Sequence, residues 1–163
     1  MGKFETSLAE GQHKLLTAIS GRWEGIAKTW FEGDEPVDES AITGSIRPAL
    51  DGRFALHEYS GAFQGKPLNG IAIYGYDLRV NEWQSVLMDT FHMSTGIMFL
   101  KGGSTEDITF TGSYSSLEPE PQTWGWRIEL KQEHPDQLLI TSYNITPAGE
   151  SARAVEINYH RIS

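Results

Sequence analysis

The strongest constraint on this chain is the spacing of its strand-like runs between Gly52 and Gly103, where four follow one another with only turn residues between them. The runs are Arg53 to Gln64, Pro67 to Leu78, Trp83 to Phe91 and Gly96 to Lys101, separated by Gln64-Gly65-Lys66-Pro67, Asp77 to Glu82 and His92-Met93-Ser94-Thr95. Parallel neighbours need a crossover of a dozen or more residues, usually a helix, and links this short leave no room for one. The runs must therefore pair antiparallel.

The flanking sequence extends this meander. Ser7-Leu8-Ala9-Glu10 matches a capping box, and Leu8, Leu15, Leu16 and Ile19 recur at helical spacing, which predicts a short helix from about Leu8 to Ala18, weakened at Gly11 and with a solvated His13. A strand opens at Ser20-Gly21-Arg22-Trp23 and reaches Phe31. The turn Glu32 to Glu39 carries five carboxylates without the spacing of a calcium loop. Ser40 to Ala49 alternates around Ile42 and Ile46, and Asp51-Gly52 signals a two-residue hairpin. After a turn over Gly102 to Glu106 come Ile108 to Tyr114, Thr123 to Glu133, Leu138 to Thr146 and Ser151 to Ile162.

Ten short-linked antiparallel strands make an open sheet too wide to stay flat. The expected fold is all-β, an up-and-down antiparallel barrel of about ten strands with a short N-terminal helix, forming one domain over residues 1–163. A two-sheet sandwich is the second choice. Ten strands should leave more interior room than the eight that side chains nearly fill, so the interior is a cavity candidate.

Composition narrows the function classes. A chain of 163 residues, 39% hydrophobic, can bury a real core. The absence of cysteine removes disulfides, thiolate metal sites and a cysteine nucleophile, and agrees with a reducing compartment. Neither a signal-like apolar run near the start nor a long apolar span is seen, so the expected location is cytoplasmic. A net charge of −9 and a pI near 4.9 disfavour nucleic acid, and no membrane partner is expected. A homodimer is compatible with these features.

Gly21-Arg22-Trp23 after a short helix resembles the Gly-x-Trp signature of lipocalins and their calycin relatives. Trp23-Glu24-Gly25, Leu50-Asp51-Gly52-Arg53-Phe54, Glu58-Tyr59-Ser60-Gly61, Gly70 to Asp77, Asp89 with Ser94-Thr95-Gly96, and Glu156-Ile157-Asn158-Tyr159 extend the likeness over nearly the whole chain. Together they resemble a bacterial family of lipocalin-like proteins known only as a domain of unknown function, which implies a barrel with an internal cavity. A more distant resemblance is to the nitrobindins, haem barrels whose axial histidine lies in the last strand. That resemblance puts Glu156 at the ligand position. A carboxylate is not a usual haem ligand, and no cofactor is expected.

The candidate ligand-binding residues are Glu58, Tyr59, Tyr76, Asp89, His92, Thr95, Tyr143 and Glu156. Asp89 and His92 are close enough in sequence to form an acid–base pair, with Glu58 approaching from a neighbouring strand. Pairing the last strands through the turn Pro147 to Glu150 puts Glu156 on the face of Ala154, opposite Thr141 or Tyr143; that face also receives Trp126 and Ile128 and is read as the inner one, where an unpaired charge would be costly. Trp23, Phe54, Met88, Trp126 and Tyr143 are expected to hold an apolar body. No histidine spacing matches a metal site, no serine sits in a nucleophile elbow, and no catalytic set is assigned. The sequence therefore favours binding of a small apolar or amphipathic molecule in the barrel. An isomerase- or hydrolase-type enzyme using the cavity carboxylates and His92, or an interaction module with a filled barrel, are the alternatives.

Overall fold

The computed structural model describes residues 2–103 and 107–163. Two short helices, α1 (Lys3–Glu10) and α2 (Gln12–Ala18), precede ten strands: β1 (Gly21–Thr29), β2 (Asp38–Ala49), β3 (Phe54–Phe63), β4 (Lys66–Asp77), β5 (Glu82–Asp89), β6 (Met98–Gly102), β7 (Ile108–Ser115), β8 (Thr123–His134), β9 (Gln137–Ile145) and β10 (Ser151–Arg161). Each strand pairs antiparallel with its sequence neighbour, and β1 pairs with β10 from Trp23 opposite Arg161 to Thr29 opposite Val155. The sheet closes into an up-and-down barrel, which removes both edges. Of the turn expected over Gly102 to Glu106, Ser104, Thr105 and Glu106 lie outside the described residues. The link from β2 to β3 is longer than the expected two residues: Ala49 pairs with Phe54, and Leu50, Asp51 and Gly52 all take positive φ.

Because opposite partners in a ladder share a face, the registers fix the interior. Trp23, Gly25 and Ala27 of β1 face in, followed around the wall by Ile42, Gly44 and Ile46, then Ala55, His57 and Tyr59. Leu87 and Asp89 of β5, Ile128 of β8, Ile140 of β9 and Ile157 of β10 continue the same face. Ile42 and Ile46, around which Ser40 to Ala49 alternates in the sequence, are both on this inner face.

The helices cover one end. Instead of one helix with Ser7 as its cap, the chain makes two that break at Gly11, where the backbone is extended (φ −116°, ψ −151°). Ser7 is buried inside α1, and its hydroxyl sits 2.8 Å from Nδ1 of His13 across the break. His13 is consequently buried, not solvated, and burial lowers its pKa. Leu16 and Ile19 plug the barrel, and the indole of Trp23 donates to the carbonyl of Ile19 at 3.0 Å, tying the helix end to β1. Arg161 lies over the Trp23 ring and donates to the carbonyl of Ala18, so the last strand clamps the same end.

One irregularity decides the face of β10. Arg153 stands opposite Tyr143 and Val155 opposite Ser142, leaving Ala154 as an extra, bulged residue. The bulge shifts the phase by one residue, so Val155, Ile157 and Tyr159 point inward and Glu156 points outward, beside Lys28 and Thr141. The expectation that Glu156 faces the cavity is therefore corrected. Of the two partners expected, Thr141 stands opposite it and Tyr143 opposite Arg153, but Trp126 and Ile128 belong to the other face.

Candidate functional site

The half of the barrel away from the helices is not filled by its own side chains. A cavity of about 70 Å³ remains there, room for several waters or a small ligand moiety. Its walls are mostly apolar, with Ala27, Ile42, Leu87, Ile128, Ile140 and Ile157 contributed by β1, β2, β5, β8, β9 and β10. Polar groups enter from β3, β4 and β5 as His57, Tyr59, Tyr74 and Asp89, from β9 as Ser142, and from the link after β5 as His92. An outer bowl of about 840 Å³, lined by Trp30, Phe31, Phe91, Tyr114 and Trp124 among others, continues it. Thr29, His92 and Trp126 border both spaces and form the neck between them.

His57 is the centre of the inner polar group. Its Nδ1 is 2.8 Å from the Tyr74 hydroxyl and its Nε2 is 3.0 Å from the Tyr159 hydroxyl. Burial holds its pKa down at about 3, so the imidazole is neutral and carries one proton. One tyrosine must donate to it and the other accept from it. Burial likewise raises the pKa of both phenols. The three side chains satisfy one another, which makes this group a brace across the barrel. The sequence reading did not single out His57, although it stands in phase with Ala55 and Tyr59 on the inner face of β3.

Asp89, 6% exposed at the end of β5, anchors the mouth. Its Oδ1 accepts from the backbone N–H of Phe91 at 3.0 Å and from that of His92, and its Oδ2 lies 2.7 Å from Nδ1 of His92 and 3.4 Å from the Tyr59 hydroxyl. Burial pushes the carboxyl upward. The hydrogen bond and charge of His92, with the two amides, outweigh this and hold the pKa below its ordinary value. An ionised Asp89 accepts at Nδ1, which fixes the proton of His92 on that nitrogen and leaves Nε2 toward the neck, where the ring lies 5.2 Å from that of Trp126.

The remaining candidates are dispersed. Glu58 is exposed on the outer face, opposite Ser45 and Ile71. Tyr76 is buried near the helix end against Trp83 and His13. Thr95 is exposed in the link after β5. Tyr143 is on the outer wall under the guanidinium of Arg127, and Glu156 pairs there with Arg153 at 3.1 Å. Phe54 and Met88 also lie on the outer phase of their strands, and Trp23 sits below the cavity, so Trp126 alone of the expected apolar body lines it. The structure thus brings together Tyr59, Asp89 and His92, adds His57, Tyr74 and Ser142, and leaves the other five candidates outside.

The last strand offers no inward axial ligand for a haem: Ile157 and Tyr159 are the inward residues of the matching run, and Tyr159 is engaged by His57. His57 has both ring nitrogens occupied, and a cavity of about 70 Å³ does not hold a porphyrin. The run that the nitrobindin resemblance matches therefore puts no free ligand inside the barrel. Among the described residues no cluster of three or more histidine or carboxylate side chains could hold a metal ion, and no helix is long and apolar enough to cross a membrane.

A closed ten-stranded meander capped by helices, with a mostly apolar space inside, defines a calycin-like barrel. Residues 9–161 match the family described as "Protein of unknown function (DUF1579)", and the chain belongs to that family. No curated protein matches the sequence. Among solved structures, it is similar to the S-type phycobiliprotein lyase CPES from Guillardia theta, with a TM-score of 0.51 and 10% identity, covering 100% of this chain and 99% of that one. At that identity the likeness is one of fold.

Proposed function

We propose that this protein binds a small apolar or amphipathic molecule inside its barrel, the apolar part against Ile128, Ile140 and Ile157 and the polar part met by Tyr59, Asp89 and His92. The observation that carries this reading is the unfilled, mostly apolar cavity with convergent polar groups on one side, which is the usual form of a small-molecule site. Glu156 has no part in it, being on the outer wall. The barrel acts as one domain in the cytoplasm, in keeping with the lack of cysteine, and its net charge of −9 makes nucleic acid an unfavourable partner. Native mass spectrometry of protein purified from its own host, together with titration of an apolar fluorescent probe, tests the proposal. A copurifying small molecule and saturable probe binding, both abolished by Ala27→Phe on the cavity wall, are expected. Failure of both would leave the barrel as an interaction module.

The Asp89–His92 pair supports a second reading, an isomerase- or hydrolase-type enzyme in the same cavity. Two titratable groups converge at 2.7 Å, with the Tyr59 hydroxyl beside them, so a proton could be taken and returned at the neck. Turnover of small aryl esters or enones that is lost in His92→Gln would support it. Inactivity of the wild type toward both classes, with probe binding intact, would leave binding as the function.

A further inference from the structure

Resting on the binding reading above, we propose that the ligand presents a hydrogen-bond-accepting oxygen, a carbonyl or a carboxylate, to the indole N–H of Trp126 at the neck between cavity and bowl. Trp126 is 7% exposed, its ring borders both spaces, and its Nε1 has no acceptor among the described residues. A buried donor without a partner has given up water for nothing, and native structures seldom keep one.

The other tryptophans sharpen the assignment. Trp23 donates to the carbonyl of Ile19 and Trp30 to that of Asp34. Trp83 also lacks an acceptor, but it packs against Tyr76 and Phe110 and borders neither the cavity nor the bowl. Of the two unmatched indoles, only Trp126 belongs to a residue that lines both spaces.

Its neighbour fits the same oxygen. Asp89 takes Nδ1 of His92, so the free ring edge at the neck is Nε2. Neutral, that nitrogen accepts from a protonated acid; charged, it donates to a carboxylate, while a ketone needs the indole alone. The apolar walls of the cavity include Ile128, Ile140 and Leu87, and Thr29 is the other polar residue that borders both spaces. The ligand class is an apolar body carrying one acceptor oxygen placed where the cavity narrows toward the mouth.

Three matched probes test this: phenylpropionate, benzylacetone and butylbenzene, which share a phenyl-ethyl body and differ in carrying a carboxylate, a ketone or no oxygen. Calorimetric titration of the full chain should show at least one oxygenated probe binding about tenfold tighter than butylbenzene, the scale of one good hydrogen bond to an otherwise orphaned donor. The preference should collapse in Trp126→Phe. In the wild type labelled with nitrogen-15, one indole N–H resonance should move downfield with the favoured probe and stay in place with butylbenzene, a readout that survives even if Trp126→Phe does not fold. Preference for the acid alone assigns a carboxylate, and equal preference for acid and ketone assigns a carbonyl. Equal binding of all three probes, as when a trapped water already satisfies the indole, overturns the proposal and leaves the binding reading intact. If no probe of any kind binds, and none of the tests of the binding reading succeeds, both fall together.

Discussion

Nε2 of His57 on β3 lies 3.0 Å from the hydroxyl of Tyr159 on β10, joining residues 102 positions apart across the barrel. With Tyr74 bonded at Nδ1, the imidazole fastens three strands that are not all ladder neighbours. Backbone pairing closes the wall, and this side-chain brace fixes its cross-section beneath the cavity.

The brace is expected to make folding stability fall with acid. His57 titrates at its ordinary value of 6.5 in the unfolded chain and at about 3 when folded, so between those values the unfolded state binds the extra proton. Stability is then greatest above that window and drops as pH falls through it, on the order of 1 kcal/mol per pH unit. Glutamine can donate and accept without charging. In denaturant titrations from pH 7 toward pH 4, the lead of wild type over His57→Gln should shrink; parallel profiles would show that His57 protonates in place.

Gly44 makes room for the same contact. A Cβ there would collide with the Tyr159 hydroxyl and lie 2.8 Å from its Cζ and 3.2 Å from Nε2 of His57. Gly44→Ala should cost about 1–3 kcal/mol, the range for forcing extra volume into a packed interior. Combining it with Tyr159→Phe should cost less than the two separately, because both act on one hydroxyl. Additive effects would mean that the added methyl is accommodated elsewhere.

Trp23→Ala should destabilise the fold by about 3–5 kcal/mol, as emptying a large aromatic site does. The side chain is 0% exposed and holds the carbonyl of Ile19, so helical circular dichroism should weaken along with the denaturant midpoint. An unchanged midpoint would contradict the role of Trp23 as the joint between helices and barrel.

The barrel was legible because period-two alternation and short links recur along the chain, and Asp89 with His92 was legible because three positions separate them in one turn. His57 was harder. A single histidine in an alternating run looks the same whether its partners are water or tyrosines, and Tyr159 is too distant in sequence to suggest itself. Glu156 was misplaced for a different reason: the bulge at Ala154 adds a residue without any glycine or proline to announce it, and one residue reverses the face. The break at Gly11 was foreshadowed by that glycine, but not the Ser7–His13 contact it permits.

Asp89 and Glu156 offer a direct comparison, since each can lose its charge with almost no change of shape. Asp89 is buried and accepts from His92 and two amides, so Asp89→Asn should lower stability at neutral pH by about 1–3 kcal/mol and weaken probe binding by releasing His92. Its folded pKa is below the ordinary 3.8, so its contribution is complete above that value and is lost as pH falls through the folded one; the gap between wild type and variant should close only there. Glu156 pairs with Arg153 on the outer wall, where both are partly exposed, and Glu156→Gln should stay within about 1 kcal/mol of wild type with probe affinity unchanged. If Glu156→Gln weakened the probe while Asp89→Asn left it alone, the bulge at Ala154 and the inward face of β10 would have to be assigned the other way round.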